Sequence, residues 1–239
     1  MKPLIYIALD GLTKTAALSL IKKLSRLRNS GLIAGYKIHD LWDSYGPGIV
    51  KELKAGGARE VWVDIKLHDT PKTIGLRAAA VSAAGADIVS VHAASGLSGL
   101  RSAVKQKIRV AAITVLTSLG HSEVKKIFSS QTRATVLRLA RIARKAKVWG
   151  IVCSAEEIKE LSQEKNLISN YIVPGIRFGS TKRDHQKRIG NPWRVIRDGS
   201  HYIVIGSLVT SASSPEKVFE RVADAVLHNQ SRLPATIDT

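Results

Sequence analysis

Charged side chains interrupt an otherwise apolar strand pattern in VWVDIKLHDTPKT, residues 61–73. Asp64 and Lys66 are separated by one residue, and Asp69 follows three residues after Lys66. Because side chains alternate along a β-strand, Asp64 and Lys66 are predicted to share one face of this strand. A fixed ammonium group can stabilise negative charge that develops in a transition state. The spacing therefore indicates a catalytic site within a buried strand.

Two more charged residues lie near the ends of the two preceding strand-like runs. Asp10 ends the run 4–10, and Lys37 lies in the run 33–39, where the same alternation directs it inward. Opposite charges about 4 Å apart recover roughly 4 kcal/mol at an effective dielectric of about 20, which offsets part of the cost of burying them. An alternating Asp, Lys, Asp, Lys array is predicted. The alternative is a structural cluster of ion pairs that caps the fold.

The elements that must position these side chains follow a regular order. Eight strand-like runs are predicted, at 4–10, 33–39, 60–66, 87–92, 110–116, 150–154, 171–176 and 202–206. Helices are predicted at 13–29, 45–56, 71–84, 97–106, 122–147, 155–164, 191–198 and 215–228. Eight alternating units favour an α/β fold, a single-domain (β/α)₈ TIM barrel over residues 1–230, with 231–239 as a flexible tail. In such a barrel the active site lies at the C-terminal ends of the strands, where the charged array falls.

Composition and charge make several classes of protein improbable. The mean hydropathy is +0.00, and no apolar run approaches the roughly 20 residues needed to span a bilayer, so no membrane association is expected. The N-terminus lacks a signal-peptide pattern and Cys153 is the only cysteine, which predicts a cytoplasmic location. The net charge of +18 would attract polyanions. Nucleic-acid binding is nevertheless not expected, because the basic residues of 133–147 lie at helical spacing opposite apolar ones, as on a solvated face.

The signature and eight further blocks resemble the orotidine 5′-phosphate decarboxylase family. VDIKLHDTPKT resembles the family motif Asp-x-Lys-x-x-Asp followed by Ile-Pro-Asn-Thr, and the resemblance covers nearly the whole chain in the family's order. The other blocks are ALDG, YKIHDLWDSYGP, VSVHAASG, AAITVLTSL, GIVCSAEE, VPGIRFG, DHQKR and YIVIGSLVT. The resemblance implies removal of CO₂ from C6 of orotidine 5′-phosphate to give uridine 5′-phosphate, a step of de novo pyrimidine biosynthesis. It also implies that neither a metal nor an organic cofactor takes part.

The resemblance assigns catalytic roles by position. Lys66 would stabilise the negative charge that develops at C6 and then protonate this carbon. Asp64 would face the substrate carboxylate, and Lys37 with Asp10 would hold the array and contact the ribose. A fixed ammonium group is more useful to the carbanion than to the ground state, so Lys66 is expected to lower the barrier rather than only to strengthen binding.

Asp69 and Thr73 have a different expected role. In the family the corresponding residues reach into the partner subunit's site, so the resemblance implies a homodimer with composite sites, in which Asp69 is a catalytic residue. The same segment also fits a helix start, with Asp69 or Thr70 as N-cap and Pro71 at the first helical position. The two interpretations are compatible.

The nucleotide is expected to be recognised elsewhere in the barrel. The expected residues are Thr117 and Ser118 for the pyrimidine edge, and Gln186, Arg177, Gly206 and Ser207 for the 5′-phosphate. The loop 179–188 is the expected lid. Its closure would use the binding energy of the remote phosphate.

Three positions depart from the family pattern. Ser207 stands where the family usually has a phosphate-binding arginine, which predicts either weak phosphate binding or compensation by another cation. The compensating residue could be Lys182, Arg183, Lys187 or Lys72. His39 replaces a glycine, and Lys72 replaces an asparagine.

Two other functions remain open at this point. A magnesium-dependent sugar-phosphate enzyme, 3-keto-gulonate 6-phosphate decarboxylase or hexulose-phosphate synthase, would share the Asp-x-Lys-x-x-Asp core. A decayed enzyme could instead serve as a basic nucleic-acid-binding scaffold. His68 and His92 could suggest a metal site, but no matching carboxylate cluster accompanies them, so no metal is expected.

Overall fold

A closed barrel of eight parallel strands forms the centre of the molecule, in the order β1 to β8. The computed structural model describes residues 3–164, 167, 170–177 and 190–228. The strands are β1 (Leu4–Ala8), β2 (Ile33–Ile38), β3 (Val61–Leu67), β4 (Ile88–His92), β5 (Arg109–Ile113), β6 (Gly150–Val152), β7 (Tyr171–Val173) and β8 (Tyr202–Ile205). The predicted TIM barrel is confirmed. The predicted tail 231–239 lies outside the described residues.

Helices follow the strands and surround the barrel. They are α1 (Lys14–Leu24), α2 (Asp40–Tyr45), α3 (Gly48–Ala55), α4 (Pro71–Ala83), α5 (Gly96–Val104), α6 (His121–Phe128), α7 (Thr132–Lys145), α8 (Ile158–Gln163), α9 (Pro192–Arg197), α10 (Ser207–Thr210) and α11 (Pro215–His228). No helix of the described residues is both long enough and apolar enough to cross a bilayer.

Three predicted helices were wrong in extent. The stretch 122–147 is two helices, because Ser129 adopts a left-handed backbone with φ of 50° and ends α6. The stretch 45–56 is divided at Gly46, whose φ of 66° ends α2, so only α3 matches it. The first helix ends at Leu24 rather than at residue 29. Apolar periodicity passes through each of these breaks, and the prediction followed it although Gly46 followed by Pro47 is a helix-stop signal.

The start of α4 confirms the predicted helix cap. Thr70 is the N-cap, with its hydroxyl accepting from the Thr73 backbone N–H, and Pro71 occupies the first turn. Proline fits there because its missing N–H would have had no helical partner. The cap fixes the direction in which the chain leaves β3, and so the position of the preceding Asp69.

The interior of the barrel is filled with side chains. Tyr6 and Trp62 contact edge to face, with ring centroids 5.4 Å apart, and Tyr202 lies 5.6 Å from Tyr6. Below them Glu60 and Arg109 form an ion pair of 2.8 Å. These residues make a floor that closes the N-terminal end of the barrel. Polar groups at the other end therefore face a pocket with a solid base.

β3 is irregular at the residue where chemistry is expected. Its pairing with β4 shifts between Val63 and Leu67, and Lys66 adopts a φ of 46°. The left-handed region is uncommon for a residue with a side chain and costs about 1 kcal/mol or more. The predicted strict alternation of side chains along β3 therefore fails after Asp64. The Lys66 ammonium nevertheless reaches the barrel mouth, because the left-handed backbone, and not a regular pleat, directs its side chain there.

Candidate active site

A cavity of about 390 Å³ opens at the C-terminal ends of the strands. Asp10, Lys37, Asp64 and Lys66 lie along one side of it. Thr117, Arg177, Gly206 and Ser207 line it as well. The structure thus brings together eight residues that the sequence analysis placed in the site.

The four charged residues form one connected array. The Lys37 Nζ lies 2.7 Å from Asp10 Oδ2 and 3.1 Å from Asp64 Oδ2. The Lys66 Nζ lies 2.9 Å from the same Asp64 oxygen. One carboxylate oxygen therefore accepts from two ammonium groups. The array alternates in sign, as the sequence predicted.

Burial divides the array into a fixed part and an accessible part. The side chains of Lys37 and Asp64 are each 9% exposed, while that of Lys66 is 34% exposed toward the cavity. Asp10 is exposed at the rim. Lys37 and Asp64 are therefore positioned to hold the array, and Lys66 is positioned to meet a ligand.

The charges of the buried pair stabilise each other. Burial alone would raise the pKa of Asp64, but Lys37, Lys66 and a hydrogen bond from Ser90 hold it below its ordinary value. Burial would lower the pKa of Lys37, but Asp64 and Asp10 raise it above its ordinary value. Both groups are thus ionised at neutral pH. A ligand carboxylate that entered beside Asp64 would meet a permanent negative charge.

Sequence analysis did not find two residues that support the array, one that contacts Asp64 and one that contacts the first. Ser90, in β4, donates its hydroxyl to Asp64 Oδ1 and accepts from the Trp62 indole N–H at 2.8 Å. Serine in DIVSVH and tryptophan in EVWVDIK resemble ordinary strand residues, so neither carried a signal. The alternation in β4 could have identified Ser90, since it shares a face with His92, which was singled out.

The two histidines near the array lie next to each other. The rings of His68 and His92 are 5.4 Å apart. Burial, followed by the proximity of His68 and Lys66, lowers the pKa of His92 to about 4. His92 is therefore neutral at pH 7 and does not add to the positive charge of the mouth. Within the described residues, no group of three or more His, Cys, Asp or Glu side chains could hold a metal ion.

The opposite side of the cavity carries the residues expected to bind phosphate. The Arg177 guanidinium donates to the Ser207 hydroxyl at 3.1 Å. A guanidinium from the loop after β7 therefore lies beside the position where the sequence lacked the expected arginine. The compensating cations suggested by the sequence included Lys182, Arg183 and Lys187, which lie outside the described residues together with Gln186 and the expected lid.

Several expected site residues do not line this cavity. Ser118 is exposed beyond the buried Thr117. Asp69 is exposed, and its Oδ1 accepts from the Thr70 backbone N–H at 2.6 Å. Thr73 lies in the first turn of α4. His39 precedes α2, and its ring is 3.9 Å from the Asp43 carboxylate, away from the cavity.

Comparison with known proteins identifies the family. A profile described as Orotidine 5'-phosphate decarboxylase / HUMPS family matches residues 3–222. The chain belongs to this family. The matched region spans nearly the whole barrel. It therefore includes all four charged residues and the residues on the opposite side of the cavity.

Individual relatives agree with this assignment. The chain is 36% identical over 220 residues to a protein from Idiomarina loihiensis named orotidine 5'-phosphate decarboxylase, covering 89% of this chain and 93% of the relative. A protein of the same name from Pseudoalteromonas translucida is 35% identical over 231 residues, covering 93% and 96%. The crystal structure of orotidine 5'-phosphate decarboxylase from Lactobacillus acidophilus superposes with a TM-score of 0.75 at 26% identity, covering 95% of this chain and all of that one.

Proposed function

We propose that this protein is a carboxy-lyase that converts orotidine 5′-phosphate into uridine 5′-phosphate and CO₂, in de novo pyrimidine biosynthesis. The observation that carries the proposal is the Asp10, Lys37, Asp64, Lys66 array at the barrel mouth, with Asp64 held ionised beside an accessible ammonium. The names of the curated relatives support the same substrate.

The array suits a reaction that leaves an electron pair on carbon. In the proposed step the bond between C6 and the carboxylate breaks, CO₂ departs, and the electron pair remains at C6. Lys66 stabilises this charge and then transfers a proton from Nζ to C6, because its ammonium is the accessible member of the array. Solvent returns the proton to Lys66 after the product leaves.

Asp64 raises the energy of the bound substrate, and Lys37 holds the array in position. The ionised Asp64 faces the substrate carboxylate, and their repulsion is relieved when CO₂ leaves. Lys37 holds Asp64 and Asp10 in place through contacts of 3.1 and 2.7 Å. Asp10, at the exposed rim, contacts the ribose.

The remaining wall of the cavity recognises the rest of the nucleotide. Thr117 binds the pyrimidine edge, with Ser118 beside it, and the Arg177 guanidinium binds the 5′-phosphate next to Ser207 and Gly206. The position of Arg177 within 3.1 Å of the Ser207 hydroxyl supports this role. Gln186, outside the described residues, is proposed to add a phosphate contact.

The active site is proposed to be completed by a second copy of the chain. Asp69 and Thr73 do not line the cavity of their own protomer, and both lie at the surface where α4 begins. Leu76, one turn further along α4, is 64% exposed and would be covered in such a dimer. Asp69 and Thr73 thus enter the barrel mouth of the partner in a homodimer.

The cytoplasmic location expected from the sequence also remains a prediction.

The direct test is the loss of ultraviolet absorbance of orotidine 5′-phosphate in the presence of the purified protein and a chelator. Turnover in chelator is the expected result. Turnover of a hexulose phosphate or 3-keto-gulonate 6-phosphate only after addition of magnesium would instead indicate the other branch of the family. Inactivity on all three substrates, with tight salt-sensitive binding of RNA, would support a nucleic-acid-binding scaffold.

A further inference from the structure

Two uncharged residues connect the floor of the barrel to the charged array. Trp62 is 1% exposed, and Ser90 is fully buried. Trp62 precedes Asp64 on the same inward face of β3, and Ser90 projects from the neighbouring β4. Ser90 does not line the cavity, so it influences a ligand through its partners Asp64 and Trp62, both of which line the cavity.

The hydrogen bonds among these residues have a defined direction. An indole N–H can only donate, so the Trp62 N–H at 2.8 Å makes Ser90 Oγ an acceptor there. The Ser90 hydroxyl proton is then directed at Asp64 Oδ1, which as a carboxylate oxygen can only accept. Without the indole, the hydroxyl could rotate among other acceptors.

The two oxygens of Asp64 therefore have separate partners. Oδ1 accepts from Ser90, and Oδ2 accepts from Lys37 and Lys66. Three donors in two directions fix both the position and the rotation of the carboxylate plane. Ammonium groups alone would allow the plane to turn, because lysine donates in any direction around its nitrogen.

We propose that Trp62 and Ser90 are positioning residues, a directed hydrogen-bond relay that sets the orientation of Asp64 against the reacting carboxylate. The inference rests on the proposed function and extends it to two residues that are hydrogen-bonded in series to Asp64. The edge-to-face contact with Tyr6 holds the Trp62 ring, so the relay is anchored in the floor.

The first test is Ser90→Ala, which removes one oxygen from a buried site. Loss of a hydrogen bond to a charged group predicts a fall in kcat of roughly 10- to 100-fold, with KM within about threefold of the wild-type value. The acidic limb of the pH profile of kcat should also move to higher pH, since the Ser90 hydrogen bond lowers the pKa of Asp64. Lys37, Lys66, Asp10 and His92 also surround this carboxylate and are unchanged in the variant. An unchanged kcat and pH profile would overturn the proposal.

A double-mutant cycle separates a relay from two independent contacts. Trp62→Phe keeps a large ring but removes the donor, and should lower kcat less than Ser90→Ala does. Adding Trp62→Phe to Ser90→Ala should then lower kcat no further, because the indole N–H acts through the hydroxyl and Phe keeps an aromatic ring at the cavity wall. Effects that multiply would contradict the relay. Ser90→Thr, which restores a hydroxyl, should recover part of the activity lost in Ser90→Ala.

A control tests whether the loss of any buried hydroxyl is sufficient to lower kcat. Thr135 is also fully buried, but it belongs to α7, outside the barrel. Thr135→Val keeps the shape of the side chain and should leave kcat and its pH profile unchanged.

Nuclear magnetic resonance tests the relay without turnover. The indole N–H resonance of Trp62 can be assigned by its loss in Trp62→Phe. Asp64→Asn should shift this resonance in the wild-type background and have little effect on it in Ser90→Ala, because the hydroxyl connects the two residues. No shift in either background would overturn the relay even if the enzyme decarboxylates orotidine 5′-phosphate. A shift in a protein that lacks this activity would instead leave the relay standing and reject the proposed substrate.

Discussion

The two ends of the barrel interior both carry ionised groups, but they use them differently. At the floor Arg109 pairs with Glu60 at 2.8 Å, Tyr6 donates to the same carboxylate, and the guanidinium lies 5.0 Å from the Trp149 ring. At the mouth one oxygen of Asp64 is shared by two ammonium groups, and one of these faces a cavity.

This difference separates a structural cluster from a reactive one. The floor has an arginine, a phenol and aromatic rings around a single carboxylate, which matches donors to acceptors. The mouth holds Lys66 in a left-handed backbone that a side chain rarely adopts. Among the ion-paired residues compared at the two ends, Lys66 combines this backbone with a charge that faces the cavity, and Arg109 and Glu60 do not.

The largest expected effect is that of Lys66→Ala. Turnover of orotidine 5′-phosphate should fall by several orders of magnitude, because the proposed proton donor is lost. Stability should change by no more than about 1 kcal/mol, since Asp64 keeps Lys37 and a partly exposed ion pair contributes little. Steady-state kinetics and urea unfolding measure the two quantities. Near-normal turnover would contradict the role of Lys66 as proton donor. The charged array at the mouth would then be a structural cluster of ion pairs, like the one at the floor.

Arg177→Ala tests the far wall of the mouth. Loss of the guanidinium should raise KM by roughly 10- to 100-fold, the equivalent of one hydrogen bond to a charged group. Ser207→Arg in the wild-type background should give little gain, because Arg177 already lies beside position 207. The same substitution in Arg177→Ala should restore binding. A strong gain from Ser207→Arg alone would show that the phosphate site lacks a cation.

Arg109→Met probes the floor. The unfolding free energy should fall by about 1–2 kcal/mol, because Glu60 loses its charged partner at a site that is only partly exposed. kcat and KM should stay within about twofold of the wild-type values, since the Tyr6 and Trp62 rings separate the ion pair of Arg109 and Glu60 from the ligand. A large loss of kcat at unchanged stability would show that the two ends are not independent.

The smallest expected effect is a pH dependence of stability. The pKa of Asp64 is lowered in the folded state, so its contribution is fully present above its ordinary value of 3.8 and is lost as pH falls toward the lowered value. The stability difference between the wild type and Asp64→Asn should therefore be constant from pH 5 to 7 and shrink below about pH 4. Urea midpoints across this range measure it. A difference that grows as pH falls would contradict the sign of the shift.

The sequence predicted the array because charged residues in an apolar strand are costly and therefore conspicuous. Asp10, Lys37 and Asp64 could be brought together from parity and barrel order, whereas Lys66 was predicted at the mouth but reaches it through the irregular backbone of β3. The helix breaks at Gly46 and Ser129 depend on individual backbone angles, which a periodic pattern does not encode. The backbone at Lys66 was missed for the same reason.

The relay residues were missed for a different reason. A serine in a strand and a tryptophan in a core are each common, and only their contact in three dimensions gives them a direction. The contact between Arg177 and Ser207 was missed likewise, since residues 30 positions apart meet only after the barrel closes. Sequence alone could show that an expected arginine was absent at position 207, but not that another guanidinium lies beside that position.

The packed floor limits the routes by which a substrate can enter the barrel and products can leave it. Tyr6, Trp62 and Tyr202 fill the barrel beneath the cavity, so this end offers no passage. In the proposed reaction CO₂ and uridine 5′-phosphate would leave through the same opening by which the substrate entered. Carbon dioxide, the smaller product, would then diffuse out past the bound nucleotide or leave after it. Product release through a single opening is therefore a candidate for the rate-limiting step.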